Sequence, residues 1–489
     1  MCLSYFSIHN HSHYSNLRLI DSITFPEQLI EYANEIGLKG ISLSDHETLS
    51  GAVKFVKAYK KMKEEGRLNE DFIISFGNEI YLVRENSLEE LKENYANRNP
   101  DTQFYHFLLT ALDPVGFEQL KELSSIAWKN SFRTGIMTRV PTFKEDMKRI
   151  IKGGHVVATT ACLGGFVPQM ILRWQEAEKS NNDELVTHYK REIHEFVTYC
   201  IDVFGKDKFF FEIQPSEDEE QHIVNRKLIE LSSVYGIDYI VATDSHFVKK
   251  EDRYAHKVYL QSSEGEREVD EFYSSCYIFS EEEIFESMRS HLTDEEIQKS
   301  LDNTLKIYDM IEVYDLQQDT IIPHATIEEF ELRHIFKPAY DRFEYMKKFA
   351  YSEHEIDRYF LYLIEEGFRE HFPAKTLSKE YFYKIMDRIN TELRELWLIS
   401  ERLGDRLSSY YVLTKEVVDI MWDEGDSIVG VARGSAAGYL VVYLLNISQI
   451  NPLDYDLPHF RHLTAERPEL PDCRTVVHSG NIMDYKLVN

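Results

Sequence analysis

A chain of 489 residues, 43% hydrophobic and 13% aromatic, is too long for one compact domain and has apolar mass for two or three packed cores. Charge interrupts every apolar run, which excludes a membrane-spanning helix, and five cysteines without paired spacing exclude a disulfide scaffold. Lys+Arg of 55 against Asp+Glu of 84 gives a formal net charge of −29, the wrong sign for a long grip on duplex DNA unless bound cations or other domains supply it.

In chain order, the start through Ser4, Tyr5 and His9 lacks the basic and apolar segments of a signal peptide, so a reducing cytoplasm is expected. Strands are predicted at Tyr5–Ile8, Gly40–Leu43, Phe72–Phe76, His106–Leu112, His155–Thr159, Lys208–Ile213 and Tyr239–Thr243. Helix-period stretches fall between them at Pro26–Ile36, Gly51–Lys63, Gly116–Trp128, Glu184–Phe204 and Glu219–Tyr235. Repeated strand–helix units predict an α/β fold with parallel strands, and seven of them predict a barrel. The acid runs Glu217–Glu220 and Glu281–Glu283 read as solvated helix faces. From Glu281 to Leu403 the pattern turns helical and charged, and Asp426–Gly438 reads as a strand leading into a small-residue turn and an apolar helix.

Metal-ligating residue types gather at the predicted strand ends. His9 and His11 follow the first strand with one residue between them, so both imidazoles can face one ion. Asp45 and His46 end the second strand, Glu79 follows the third, His106 sits at the fourth, Cys162 follows the fifth, and Asp244 with His246 closes the last. One histidine beside a strand is usually structural. The joint pattern of imidazole, carboxylate and one thiol at nearly every strand end instead predicts a multinuclear metal hydrolase, suited to zinc, manganese or iron.

These stretches resemble a known family. Ile8–Ser15, Ser44–Glu47 with Gly51–Val53, Gly77–Glu79, His106, Ala161–Gly164 with Pro168 and Gln169, and Val241–Phe247 are similar to the polymerase-and-histidinol-phosphatase (PHP) domain. That domain opens the alpha subunit of bacterial C-family replicative polymerases, DNA polymerase III. The resemblance implies a PHP-type distorted β/α barrel that binds three divalent metal ions through nine ligands. In this chain these would be His9, His11, Asp21, His46, Glu79, His106, Cys162, Asp244 and His246, all of the expected residue type. Clustered divalent ions lower the pKa of a water and clamp the oxygens of a phosphate ester. The activity implied is a metal-dependent phosphoesterase or 3′→5′ exonuclease on the primer 3′ end of DNA.

The C-terminal third extends the resemblance. Gly430–Gly438, with Arg433, Gly434 and Ser435 as nucleotide-binding candidates, is followed by Ile450–Leu453, Leu463–Arg467 and Leu470–Asp472. In order and spacing this is similar to the nucleotidyltransferase palm of the same family, with Asp472 as a catalytic aspartate. The departures are Val431, Ala432 and Tyr439 in the glycine-rich turn, and Arg474 where the family carries a second aspartate. Two-metal transfer needs further carboxylates, so Mg²⁺ and dNTP are expected only if another chain completes the palm. The expected domains are 1–280 as the PHP phosphoesterase, 281–403 as a helical connector with a thumb-like segment, 404–472 as a partial palm, and 473–489 as a non-family tail. The apolar helix Leu440–Leu445 is expected to be exposed without the rest of a palm. Two other readings remain: a free-standing PHP phosphoesterase, and a non-catalytic metal-stabilised scaffold for a split polymerase.

Overall fold

The computed structural model describes residues 5–17, 20–135, 137–262, 271–316, 321–373, 377–425, 427–431, 434–466 and 477–479. Two compact units divide it, Met1–Gln318 and Asp319–Asn489. Each has its own apolar core. Among the described residues no helix is long and apolar enough to cross a membrane.

The first unit is built on strands β1 (Phe6–Ser7), β2 (Gly40–Leu43), β3 (Ile73–Leu82), β4 (Tyr105–Ala111), β5 (Phe132–Thr134), β6 (Met137–Arg139), β7 (Pro141–Thr142), β8 (Val156–Thr159), β9 (Phe209–Ile213) and β10 (Tyr239–Val241). All seven predicted strands are present. They form one curled sheet in the order β1-β2-β3-β4-β8-β9-β10, with β7 beside β3 and β5–β6 as a separate hairpin. A parallel bridge between Asn10 and Ser245 brings the two ends of the sheet together. His11 N–H donates to Ser245 O at 2.8 Å, and Ser245 N–H donates to His9 O at 3.2 Å. Strands such as β2 and β9 are buried along their whole length, as a sheet covered on both faces requires, and Ser42 and Glu212 are buried among their apolar residues.

The expectation of parallel pairing fails at one strand. β4 runs antiparallel to both β3 and β8. The ten residues of β3 extend roughly 33 Å. The nine-residue helix that follows, Leu88–Ala96, is roughly 14 Å long, less than half the length of that strand. The chain re-enters from the end at which β3 left it, Tyr105 pairing with Leu82.

Helix boundaries follow capping chemistry. Asn182 accepts from Leu185 N–H at 3.1 Å to start Asp183–Phe204, whose buried Ile193, Phe196, Val197, Cys200 and Phe204 form one stripe. The acid run Glu281–Glu283 occupies the first turn of Glu281–Met288 behind a Ser280–Glu283 capping box. There carboxylates favour the positive end of the helix dipole, as expected for a solvated structural run.

In the second unit, helices Glu344–Ala350, Glu355–His371, Lys379–Leu403 and Leu407–Asp423 pack around the short helix Leu440–Leu444. That helix is not exposed. Leu440, Val441, Val442, Leu444 and Leu445 are all buried among this unit's own helices, so the expected liability is absent. Its N-terminus is held by Glu392, whose carboxylate accepts from Leu440 N–H and Val441 N–H at 2.8 Å each. Arg388 Nε donates to the same carboxylate at 2.6 Å. Burial pushes the Glu392 carboxyl up, Arg388 and these two N–H groups pull it back, and the balance leaves it at about 7. Gly367 lets Glu355–His371 approach closely: a Cβ there would lie 1.8 Å from Leu444 O. Gly367→Ala is expected to destabilise the protein by about 2 kcal/mol, read as a lower urea midpoint. An unchanged midpoint would mean that this close approach is not held in solution.

Further along, β11 (Ser427–Val429) pairs antiparallel with β12 (Val477–Ser479). The strand β12 falls within the stretch expected to be a non-family tail.

Candidate metal centre

The curl of the sheet brings the strand ends named above to one mouth. His9, His11, His46, Asp244 and His246 come from the ends of parallel strands or the turns after them, whereas Glu79, expected after the third strand, lies within β3, which runs on to Leu82. His106 lies at the start of β4, and the antiparallel course of that strand puts its beginning at the same mouth. Tyr81 pairs with His106 in the ladder, and Glu79, two residues earlier on β3, pairs with Leu108.

The structure gathers all nine predicted side chains. Glu79 is central: its Oε1 lies 3.4 Å from His9 Nε2 and 2.9 Å from His106 Nδ1. Its Oε2 lies 3.3 Å from His11 Nε2 and 2.8 Å from His46 Nδ1. Asp244 Oδ1 is 3.3 Å from His9 Nε2 and 3.0 Å from His11 Nε2. Asp21 Oδ2 reaches His46 Nε2 at 3.2 Å and His246 Nε2 at 3.0 Å. Cys162 Sγ is 3.3 Å from His106 Nδ1. His9, His11 and Glu79 are fully buried, and His106 lies nearest the opening.

Burial alone would drive such groups neutral, yet they sit beside opposite charges. Burial lowers His9, but Asp244, Glu212 and Glu79 outweigh it and raise the imidazole well above its usual range. Burial raises the Glu79 carboxyl, and His46, His106 and His9 overcome this to hold it well below. The Cys162 thiol is pushed well up by burial and by the Asp244 and Glu79 charges. Backbone strain clusters here as well. Glu47, Ala161 and Asp244 adopt left-handed φ values of 57°, 57° and 46°. Each such residue costs on the order of 1–3 kcal/mol and persists where the surroundings over-determine it.

Two residues add what sequence reading missed. Glu212 on β9 accepts from His9 Nδ1 at 2.7 Å, fixing that ring's orientation and leaving Nε2 toward the cluster. A lone glutamate within Phe209–Ile213, otherwise wholly apolar, was the available signal. Cys276 places a ligand-type atom beside Asp244 and His246. Asp45, by contrast, is turned to Ser12 and Ser15: its Oδ1 accepts from Ser12 N–H at 2.6 Å and from Ser15 O–H at 2.9 Å.

The residues fit a metal group by two independent features. Buried His9 Nε2, Asp21 Oδ2 and Glu79 Oε2 have no hydrogen-bond partner among the described residues, though each faces other ligand-type atoms. Four sets of three or four donors come close enough to share an ion, including His9, His11, Glu79 and Asp244, and His46, Glu79 and His106. Mixed imidazole, carboxylate and thiolate donors suit zinc, manganese or iron rather than magnesium or calcium alone.

In the second unit Gly434 has φ +71° and Ser435 Oγ lies 3.4 Å from His462 Nδ1. Arg433 and Asp472 lie outside the described residues.

Comparison with known proteins agrees with this architecture. Residues 7–216 match the family described as "PHP domain", and residues 358–475 match "Bacterial DNA polymerase III alpha NTPase domain". The second match ends just inside the stretch expected to be a non-family tail. The chain is 47% identical over 469 residues to "Probable DNA polymerase YorL" of Bacillus subtilis and to a "DNA-directed DNA polymerase" of Bacillus phage SPbeta, covering 95% of this chain and 36% of each relative. It is 27% identical over 472 residues to "DNA polymerase III subunit alpha" of Borreliella burgdorferi, covering 95% of this chain and 34% of that one. The two matches follow one another along the chain, a PHP domain and then a DNA polymerase III alpha NTPase domain, and the chain spans about a third of the length of these relatives.

Proposed function

We propose that the first unit is a metal-dependent phosphoesterase acting as a 3′→5′ exonuclease on DNA, within the N-terminal part of a replicative polymerase alpha subunit. The observation that carries the reading is the meeting of nine ligand-type side chains at one mouth, with buried donor atoms left unpartnered there. His9, His11, Asp21, His46, Glu79, His106, Cys162, Asp244 and His246 would hold three divalent ions. Such ions supply Lewis-acid activation of water and of phosphoryl oxygens.

The chain's own residues do the positioning. Glu212 accepts a hydrogen bond from the Nδ1–H of His9, so that ring keeps one tautomer with Nε2 directed inward. Asp21 links His46 to His246 across the mouth. Glu79 offers both oxygens to four imidazoles and can bridge neighbouring positions. A cavity of about 490 Å³ opens above, lined by His46, His106, Asp244 and His246, and by Tyr81 and Arg139. That volume lies within the range of small-ligand sites.

The second unit is read as the approach to a polymerase palm, with Gly434 and Ser435 facing a nucleotide and Asp472 as one metal-holding carboxylate. With Arg474 two residues on, this chain alone is expected not to extend a primer. The test pairs two assays on purified chain with Mn²⁺: trimming of a 3′-labelled primer–template, and extension with dNTPs. Trimming without extension is the expected result. Extension would overturn the palm reading, and absence of trimming would overturn the nuclease reading.

A further inference from the structure

The rim of the same cavity carries a second kind of chemistry. Besides the ligand cluster it is lined by Tyr95, Phe104, Met137, Arg139 and Tyr273. Arg139 is half-buried at the end of β6. Its guanidinium carbon stands 4.8 Å from the Phe104 ring centre and 5.8 Å from that of Tyr95. Its Nε donates to Thr134 Oγ1 at 3.3 Å. Tyr95, Phe104 and Phe132 lie 6.2–6.5 Å apart as one aromatic cluster beneath it.

Among the described residues the polar contacts of Arg139 go to Thr134 and Tyr95 and none to a carboxylate, in a chain where acids outnumber bases 84 to 55. Arg84 and Arg406 are each paired, with Glu192 at 2.8 Å and with Asp357 at 2.8 Å, whereas Arg358 donates to the Ser352 and Glu353 carbonyls. A guanidinium fixed on an aromatic face keeps N–H donors for an incoming anion, in the planar fork that suits a phosphate.

We infer that Arg139 is a specificity-determining residue that binds a backbone phosphate of a single-stranded DNA 3′ end beside the phosphate being cut. This deepens the phosphoesterase reading and rests on it. The ligand cluster accounts for one substrate phosphate, and an unpaired cation on the rim calls for a second. A cation interleaved with aromatic rings is the arrangement by which single strands are held without sequence preference. Tyr95, 37% exposed, offers a ring face to a base at the same rim.

The experiment measures binding of a nuclease-resistant phosphorothioate (dT)12, fluorescein-labelled, by anisotropy across a salt series with Mn²⁺. Arg139→Gln is expected to weaken binding about tenfold and to flatten the slope of log K against log salt by about 0.7, the release of counterions from one single-strand phosphate. Arg139→Lys should fall between, and Arg133→Gln on the same hairpin should match wild type. In trimming of unmodified (dT)12, Arg139→Gln should raise KM about tenfold with kcat held within about twofold. Unchanged affinity and slope, or an equal loss in Arg133→Gln, would overturn the inference, as would a fall in kcat with KM unchanged. Hydrolysis of bis(p-nitrophenyl) phosphate by the wild-type chain separates the two readings. If it is absent the phosphoesterase reading falls, and the anisotropy series alone decides the role of Arg139.

Discussion

Glu79→Gln is expected to abolish phosphodiester hydrolysis, with a loss on the order of 10³-fold or more, while leaving the fold in place. Glu79 is fully buried on β3, and its two oxygens face His9, His11, His46 and His106. Glutamine keeps the shape and removes the charge. Replacing a residue that only orients a ligand costs about 10–100-fold in metal affinity, so a residue shared by two of the donor sets should cost at least about 100-fold. The measurement is metal content after dialysis against Mn²⁺ or Zn²⁺, together with hydrolysis of bis(p-nitrophenyl) phosphate and a far-ultraviolet spectrum as a check on folding. Full metal content with full activity in a folded Glu79→Gln chain would remove Glu79 from the centre. Loss of both in an unfolded chain would point to a structural role, since stranding buried imidazoles without their counter-charge is itself destabilising.

How much of this was legible beforehand differs by residue. The strands were readable because each is a short apolar run bounded by turn residues, and the helices because their apolar stripes recur at 3.6 residues. Asp183–Phe204 and Glu219–Tyr235 fall within a residue of expectation. The antiparallel course of β4 was not legible, since direction depends on where a connection ends in space. That course also explains His106, which would point to the wrong end of a parallel strand and instead joins the cluster from the beginning of β4. Asp21 could be named only through family resemblance, because it lies on a loop where no periodicity marks it. Glu212 was missed because its role is to hold His9, and only the three-dimensional pairing reveals that. The burial of Leu440–Leu445 was misjudged for a related reason: the sequence shows an apolar helix but not that Glu355–His371 and Lys379–Leu403 already cover it.

The acidic balance of −29 finds part of its reason in this architecture. Acids at helix N-termini, as in Glu281–Glu283, stabilise helices and take no part in binding DNA. Acids at the mouth become a positive site only when divalent ions fill it. A loaded chain should therefore attract a DNA end more strongly than a metal-free one, in which the raised imidazoles and the carboxylates offset one another.

Chelation should for the same reason produce a stability loss that grows with pH. His46 is pushed down by burial but raised further by Glu79 and Asp21, to about 9. His9, His11 and His246 are raised for similar reasons. A histidine whose pKa is higher in the folded than in the unfolded state stabilises the fold fully below about 6.5, and that contribution is lost as pH rises through the folded value. For His46 alone the shift corresponds to on the order of 3 kcal/mol. Metal-free protein should thus lose roughly 5 °C or more in Tm between pH 6.5 and 9. Divalent cations compete with those protons, so their affinity rises over the same interval and protein in excess Zn²⁺ or Mn²⁺ should hold its Tm. On the acid side Glu79 and Asp21 are held well below their usual range, so their contribution is present above about pH 4.5 and fades as pH falls further. The check is a set of thermal melts at half-unit pH steps with EDTA or with metal. A gap that widens from pH 6.5 to 9 is expected, and a gap that is constant or closes would mean that the ions bind elsewhere than among these imidazoles.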